Sequence, residues 1–123
     1  MKPLVGERIF VYGTLRPECR AYDLLKGRTT LIGSGTLQGA ELYNLGSFPG
    51  LKISDDPTKV VHGVILEIND DKLPDRLDQY EGYPVLYDRQ VVETSHGPAW
   101  VYVFNRDVDV HKRIESGDWL KLG

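Results

Sequence analysis

Two stretches of the sequence carry residue types suited to proton transfer and to binding a small polar molecule. The first is Val11–Pro17 (VYGTLRP), where an apolar run ends at Gly13. Glycine lets the backbone turn sharply and lets a ligand approach without a Cβ in the way. The successive amides of Gly13, Thr14 and Leu15 are therefore suited to donate to an anionic or carbonyl oxygen. The alternative is an ordinary glycine turn followed by a loop that Pro17 makes rigid.

The second stretch is Leu77–Pro84 (LDQYEGYP), which places Glu81 at the end of a predicted helix. Leu73, Leu77 and Tyr80 share one helical stripe, and Glu81 lies at its edge, so its side chain is aimed toward the body of the protein. The helix macrodipole and partial burial would both raise the pKa of a carboxyl group there. Such a group can take and return protons near neutral pH, as a general acid–base must. The alternative is a surface glutamate before a helix-capping glycine.

The composition limits the kind of protein that the chain can be. The 123 residues fit a single domain over residues 1–123, with 41% hydrophobic and 27% charged residues. The formal net charge of -3 gives no basic surface for nucleic acid. No apolar run is long enough for a signal peptide or a membrane span. With Cys19 as its one cysteine, we expect a cytoplasmic protein that is a monomer or a weak homodimer and binds neither nucleic acid nor membranes.

Short apolar runs bounded by glycines predict a strand-rich fold. Six strands are predicted, at Arg8–Tyr12, Thr29–Gln38, Ala40–Asn44, Val60–Ile68, Leu86–Thr94 and Ala99–Asn105. Ser95–Pro98 (SHGP) supplies turn residues between the last two strands, so we expect them to pair as a hairpin. Trp100, Tyr102 and Phe104 alternate along one face of the last strand, which is typical of a core.

Two stretches are predicted to be helical. Tyr22–Lys26 is short. Asp70–Tyr80 has better support, because acidic residues can cap its start, Pro74 falls early and Gly82 is suited to end it. Together with the strands, this predicts an α+β fold: a compact, six-stranded, β-barrel-like mixed sheet with one or two flanking helices.

Six short motifs follow one another along nearly the whole chain. They are VYGTLRP at Val11–Pro17, FPGL at Phe48–Leu51, GVILEI at Gly63–Ile68, LDQYEGYP at Leu77–Pro84, LYDR at Leu86–Arg89 and SGDW at Ser116–Trp119. Each motif is weak alone, but the ordered set resembles the γ-glutamylcyclotransferase-like family. That family includes γ-glutamylamine cyclotransferases, the butirosin-pathway cyclotransferase and plant avirulence-induced proteins. The resemblance implies a compact β-barrel with flanking helices.

The resemblance also implies a reaction and the residues that carry it. The α-amine of a small γ-glutamyl amine or peptide would attack its own γ-carbonyl, giving 5-oxoproline and a free amine. Glu81 would be the catalytic residue, moving the protons. No metal or cofactor is implied, because the nucleophile belongs to the substrate. The residues assigned to substrate binding are Tyr12, Gly13, Thr14 and Leu15 in the loop and Tyr87 in the pocket wall.

Arg16–Cys19 (RPEC) departs from the pattern, since many members continue the loop with Arg-Pro-Gly. The loss of that glycine and the added charge of Glu18 leave the pocket rim, and so the preferred leaving group, open.

Cys19 is a poor candidate for a nucleophile, because the three histidines show no triad or metal spacing. Arg89 is expected to be structural. Two other functions stay open: a non-catalytic module that binds a small metabolite or partner, and an amidase in which Glu81 activates water.

Overall fold

The strands coincide with runs of β-branched and aromatic residues, which suit a pleated and partly buried surface. The computed structural model describes residues 3–122. Within them the strands are β1 (Arg8–Val11), β2 (Thr29–Gln38), β3 (Ala40–Asn44), β4 (Pro49–Ile53), β5 (Val60–Ile68), β6 (Tyr87–Thr94) and β7 (Gly97–Phe104). The helix α1 spans Leu73–Glu81, and two 3₁₀ turns lie at Arg20–Leu24 and Val110–Lys112. The predicted α+β class is confirmed.

Five of the strands form a mixed sheet in the order β2-β5-β1-β7-β6. Its neighbours are antiparallel except for β1 and β7, which run parallel. The two edges of the sheet approach each other where the β6–β7 turn meets β2. There the Ser95 amide donates to the Thr36 carbonyl (3.0 Å), and the Ser95 hydroxyl accepts from the Thr36 amide (2.9 Å). The sheet is therefore curled and barrel-like.

The remaining two strands, β3 and β4, pair antiparallel as a separate ribbon. Alternate residues of β1 contribute to two hydrophobic clusters on opposite faces. Ile9 belongs to the cluster that contains the buried face of α1, including Leu73 and Leu77. Phe10 belongs to the cluster that contains residues of the ribbon, such as Leu42. The central strand β1 is thus fixed from both sides, and the loop that follows it starts from a rigid support.

The helix differs from its prediction at both ends. It begins at Leu73, not at Asp70. The Asp70 carboxylate accepts a hydrogen bond from the Lys72 amide (2.8 Å), so Asp70–Lys72 form a turn that comes before the helix. It ends at Glu81, one residue later than predicted. Gly82 then adopts a left-handed conformation (φ 73°, ψ 35°), as predicted for a helix-ending glycine. Glu81 is therefore the last helical residue.

All six predicted strands are present, but β1, β6 and β7 have ends shifted by one or two residues, and one strand was omitted. The bounds of β2, β3 and β5 match the prediction, and the predicted hairpin is confirmed by the pairing of Thr94 with Gly97. The strand β4 was not predicted, so there are seven strands instead of six within residues 3–122. Trp100, Tyr102 and Phe104 are buried, as predicted. The short stretch predicted as helix at Tyr22–Lys26 only partly coincides with the first 3₁₀ turn, which spans Arg20–Leu24. No helix in residues 3–122 has the length and apolar character needed to cross a bilayer.

Candidate active site

A cavity of about 380 Å³ lies where the end of β1, the end of α1 and the start of β6 meet. Its walls are mainly apolar and aromatic. All the residues that the sequence predicted for a site lie on this wall: Tyr12, Gly13, Thr14, Leu15, Glu81 and Tyr87. The fold therefore brings together the two motifs Val11–Pro17 and Leu77–Pro84, which are separated by 59 residues in the sequence.

The loop after β1 turns tightly and leaves backbone donors without protein acceptors. The Arg16 amide donates to the Gly13 carbonyl (3.0 Å), which closes a four-residue turn. Within residues 3–122, the amides of Thr14 and Leu15 donate to no backbone or side-chain acceptor. Both residues line the cavity. This turn therefore has donors available for an oxygen of a bound molecule.

Gly13 is required by packing as well as by the turn. A Cβ at this position would lie 2.5 Å from Cγ and 2.8 Å from Cδ of Pro49. Pro49 begins β4 and belongs to the FPGL motif, so that motif packs directly under the loop. The sequence predicted a glycine that lets a ligand approach. In the structure, the group that lies closest to the Cα of Gly13 on the side where a Cβ would project is the Pro49 ring.

The C-terminal SGDW motif holds the same loop from the other side. The buried Arg16 guanidinium donates from Nη1 to Oδ1 of Asp118 (2.8 Å), and that carboxylate also accepts from the Leu120 amide (2.9 Å). Glu18 Oε1 lies 3.6 Å from Arg16 Nε, and neither Glu18 nor Cys19 lines the cavity. Glu18, where the sequence departs from the family pattern, thus lies beside Arg16 and does not form part of the cavity rim.

Glu81 presents an unpartnered carboxyl group to the cavity. It is the last residue of α1, and Leu77, one turn earlier, is fully buried, which turns this edge of the helix inward. No residue in the range 3–122 donates a hydrogen bond to the Glu81 carboxylate or forms an ion pair with it. Burial raises its pKa from 4.5 to about 7, because the charged form is poorly solvated there. Near neutral pH both protonation states are therefore populated.

Two tyrosines of the wall are neutral donors. Burial, and then the nearby Glu81 charge, raise the pKa of the Tyr12 hydroxyl well above its ordinary value and also raise that of Tyr87. The Tyr12 hydroxyl donates to the Tyr102 carbonyl (2.7 Å). The Tyr87 hydroxyl donates to the Pro49 carbonyl (2.8 Å). Tyr87 thus ties β6 to β4, and its hydroxyl hydrogen is already used within the protein.

A buried network fixes the end of the helix that carries Glu81. The Tyr102 hydroxyl donates to Oδ1 of Asp78 (2.6 Å), and burial, with the Asp78 hydrogen bond next, raises its pKa. Arg89 Nε lies 3.6 Å from the same Asp78 oxygen, and its guanidinium stacks 3.8 Å from the centre of the Tyr83 ring. The positive charge of Arg89 is thus directed to Asp78 and not to Glu81. This arrangement agrees with the structural role expected for Arg89.

Several cavity residues were not predicted from the sequence as part of a site. Tyr80 shares a hydrogen bond with Thr14, with Oγ1 and the phenol oxygen 2.7 Å apart. Trp100 and Tyr102 were predicted only as core, and they also line the cavity. Two further wall residues, Phe48 and Leu86, lie in the FPGL and LYDR motifs, but the sequence analysis assigned them no role.

The structure bears on two other kinds of chemistry, that of a thiol and that of a metal ion. Burial raises the pKa of the Cys19 thiol, which disfavours the nucleophilic thiolate, and Glu18 adds to the effect. In the part of the chain that the structure describes, no three His, Cys, Asp or Glu side chains are grouped to hold a metal ion. The polar groups that the described wall presents include the Glu81 carboxyl group and the loop that contains the amides of Thr14 and Leu15.

Comparison with known proteins identifies the family. The family model described as "Gamma-glutamyl cyclotransferase, AIG2-like" matches residues 9–121. The γ-glutamylcyclotransferase family protein YtfP of Escherichia coli K12 is 38% identical over 113 residues, which cover 92% of this chain and 96% of that protein. The solution NMR structure of E. coli YtfP superposes with a TM-score of 0.74 at 36% identity, covering 93% of this chain and 96% of that one. The γ-L-glutamyl-butirosin B γ-glutamyl cyclotransferase of Niallia circulans is 29% identical, covering 96% of this chain and 81% of that protein. The motifs, the fold and these matches agree, and the chain belongs to the γ-glutamylcyclotransferase, AIG2-like family.

Proposed function

We propose that this protein is a γ-glutamylcyclotransferase that converts a small γ-glutamyl amine or γ-glutamyl peptide into 5-oxoproline and the free amine. The observation that carries the proposal is the Glu81 carboxyl group, which faces a cavity, has no partner in residues 3–122 and has a pKa of about 7. A group whose pKa is near the ambient pH both accepts and returns a proton readily. The cavity of about 380 Å³ is within the usual range for small-molecule sites.

The substrate would be held by the loop after β1 and by Glu81. The free amides of Thr14 and Leu15 are suited to the carboxylate or γ-carbonyl oxygen of the glutamyl group. The ionised Glu81 would attract the α-ammonium group. Binding both ends would fold the glutamyl chain, so that the amine and its own γ-carbonyl meet. Such positioning can supply several kcal/mol toward the barrier of a cyclisation.

The proposed reaction forms one bond and breaks one bond within the substrate. Glu81 accepts a proton from the α-ammonium, and the neutral amine then attacks the γ-carbon to close a five-membered ring. The bond between the γ-carbon and the leaving nitrogen breaks as Glu81 returns a proton to that nitrogen. The ring nitrogen loses its second proton to solvent, and the released amine takes one up. In total, two protons leave the α-nitrogen and two reach the leaving nitrogen. The reaction is therefore balanced and consumes no water or other reactant.

Product analysis tests the proposal directly. The purified protein would be incubated with a panel of γ-glutamyl amines and γ-glutamyl dipeptides, and the products separated by mass spectrometry. Release of 5-oxoproline with an equal amount of amine is the expected result. Release of glutamate would instead show hydrolysis by an activated water. Tight binding of a panel member without any product would show a binding module on the same fold.

A further inference from the structure

The tyrosine hydroxyls around Glu81 all have partners other than its carboxyl group. Among residues 3–122, the tyrosines on the cavity wall are Tyr12, Tyr80, Tyr87 and Tyr102. Three of their hydroxyls are held by backbone carbonyls or by another hydroxyl. The fourth, that of Tyr102, donates to the carboxylate of Asp78 (2.6 Å). The unpartnered state of Glu81 therefore depends on where a second carboxylate lies.

Asp78 is placed beside Glu81 and is supported from behind by Arg89. Asp78 precedes Glu81 by three residues on α1, so the Cβ atoms of the two residues lie about 5–6 Å apart on one side of the helix. Arg89 Nε lies 3.6 Å from the Asp78 oxygen that accepts from Tyr102. The Nε and Nη1 atoms of Arg89 are buried and have no hydrogen-bond acceptor within residues 3–122. Arg89 therefore acts on Asp78 through its charge, which compensates that of a mostly buried carboxylate.

The Tyr102 hydroxyl would otherwise be a donor to Glu81. Tyr102 lines the cavity, and Glu81 is the carboxylate that the described wall presents. The two groups interact, because burial, then Asp78 and then the Glu81 charge raise the pKa of the Tyr102 hydroxyl. A buried hydroxyl without an acceptor is costly, so a Tyr102 hydroxyl released from Asp78 would turn to Glu81. The new bond would lower the pKa of Glu81 and occupy an oxygen that the substrate proton needs.

The other groups around Glu81 do not change this balance. The remaining tyrosines of the wall come from the loop after β1, from α1 and from the start of β6, and their hydroxyls keep the partners given above. The wall residues from β4 and the loop before it are Ser47, Phe48 and Pro49, which do not titrate. No lysine, arginine or histidine is among the described wall residues. Tyr102 is therefore the donor whose direction one side chain decides.

We infer that Asp78 is a positioning residue, which holds the Tyr102 hydroxyl away from Glu81 and so leaves the Glu81 carboxylate free to take the substrate proton. The inference rests on the proposed function, because it assigns a support to the proton transfer of that reaction. It gives Asp78 and Tyr102 a role beyond packing, and it makes Arg89 the group that compensates the charge of Asp78.

Two variants of Asp78 separate its hydrogen bond from its charge. Asp78→Asn keeps an oxygen that can accept from Tyr102, whereas Asp78→Leu keeps none. Both remove the same negative charge beside Arg89, so the difference between them isolates the hydrogen bond. The titration of Glu81 is followed by NMR of protein labelled with ¹³C at the glutamate carboxyl groups, and Glu81→Gln identifies its signal. The midpoint in Asp78→Leu should lie at least about one pH unit below that in Asp78→Asn.

A further variant shows whether Tyr102 carries the effect. Tyr102→Phe in the Asp78→Leu background removes the released hydroxyl and should return the Glu81 midpoint to within about half a pH unit of that in Asp78→Asn. A structural effect of Asp78→Leu would not be reversed by deleting another polar group. Should Asp78→Leu fail to fold, Arg89→Met is added to every variant, because an apolar pair often replaces a buried ion pair without loss of stability.

The pH profile of 5-oxoproline release links the inference to activity. The acid limb of kcat/KM should move to lower pH in Asp78→Leu relative to Asp78→Asn, by the same amount as the Glu81 midpoint. Adding Tyr102→Phe should move the limb back. An acid limb that stays in place while the midpoint shifts would overturn the positioning role of Asp78.

The outcomes separate the inference from the proposed function, because the NMR titration needs no turnover. Equal Glu81 midpoints in Asp78→Leu and Asp78→Asn would overturn the inference and leave the proposed function standing. A difference that Tyr102→Phe does not reverse would do the same. If the wild type gives no 5-oxoproline from any γ-glutamyl compound, the proposed function is overturned, and the positioning role falls with it whatever the midpoints are.

Discussion

Replacing Glu81 by glutamine should stabilise the fold at alkaline pH and have little effect on its stability in acid. Burial raises the pKa of Glu81 from 4.5 to about 7. The folded protein therefore binds the proton more tightly than the unfolded chain. This contribution to stability is fully present below pH 4.5 and is lost as the pH rises through 7. At about 1.4 kcal/mol per pH unit, the wild type loses roughly 3 kcal/mol from this one group by pH 8.

Glutamine keeps the size and polarity of the side chain but cannot ionise, so Glu81→Gln should escape that loss. The assay is urea unfolding followed by circular dichroism at several pH values between 4 and 8. The free energy of unfolding of Glu81→Gln minus that of the wild type should grow by roughly 3 kcal/mol over this range. Glu93→Gln, at an exposed position of β6, is the matched control and should show no such growth. A difference that stays constant with pH would refute the buried, unpartnered state of the Glu81 carboxyl group.

Three further predictions concern activity and the support of the site. The wild-type kcat/KM for a γ-glutamyl substrate should rise with pH and level off above about 7, because Glu81 must be ionised to accept the substrate proton. Initial rates measured between pH 5 and 8 check this. A flat profile below pH 7 would contradict it. Gly13→Ala should raise KM about tenfold or more, because its Cβ would lie 2.5 Å from Cγ of Pro49 and displace the binding loop; an unchanged KM in steady-state assays would count against the loop as the binding element. Asp118→Ala should lower the free energy of unfolding in urea by about 3 kcal/mol, because it leaves the buried Arg16 guanidinium without its partner. Glu18→Ala, which removes a mostly exposed carboxylate 3.6 Å from the same guanidinium, should lower it by less than about 1 kcal/mol, and equal effects of the two variants would sink this account of the loop.

Local sequence patterns predicted the elements whose residues carry a local signal. The apolar, β-branched run of β5 and the glycine after Glu81 are examples, and both lie where they were expected. The strand β4 was missed because it opens with Pro49 and Gly50, two residues that normally interrupt strands. In the structure Pro49 stands at the first position of a two-stranded ribbon, where a missing amide matters little. Packing requires a glycine at position 50, because a Cβ there would lie 2.9 Å from Leu45 Cδ1 and 3.0 Å from Phe104 Cβ.

The site residues predicted from the sequence all lie in three of the motifs, Val11–Pro17, Leu77–Pro84 and Leu86–Arg89. A turn glycine and a helix-terminal carboxylate made Gly13 and Glu81 candidates, but the same features fit an ordinary turn and a surface glutamate, and the resemblance to the family singled these residues out. That both lie on one cavity wall follows from the order of the strands, which local periodicity does not encode. The roles of Trp100 and Tyr102 in the wall depend on the same fact, because β7 pairs in parallel with β1 although their paired residues Ile9 and Trp100 are far apart in the chain.

The network of side chains behind Glu81 could not be predicted from the sequence, for a related reason. Asp78, Tyr102 and Arg89 come from α1, β7 and β6, and none of them has a distinctive spacing to the others. Their contacts exist only because the curled sheet brings the end of the helix over two strands. The cavity wall has the same origin, since Phe48, Tyr80 and Leu86 come from three separate segments.

The measurement that tests the central claim most directly is the rate of 5-oxoproline release by the wild type and by Glu81→Gln, with Glu93→Gln as control, on one γ-glutamyl amine. The account predicts that the wild type and Glu93→Gln release 5-oxoproline at the same rate. It predicts that Glu81→Gln stays folded by circular dichroism and loses at least about a hundredfold in kcat. A folded Glu81→Gln protein that turns over at the wild-type rate would contradict the assignment of Glu81 as the group that moves the proton.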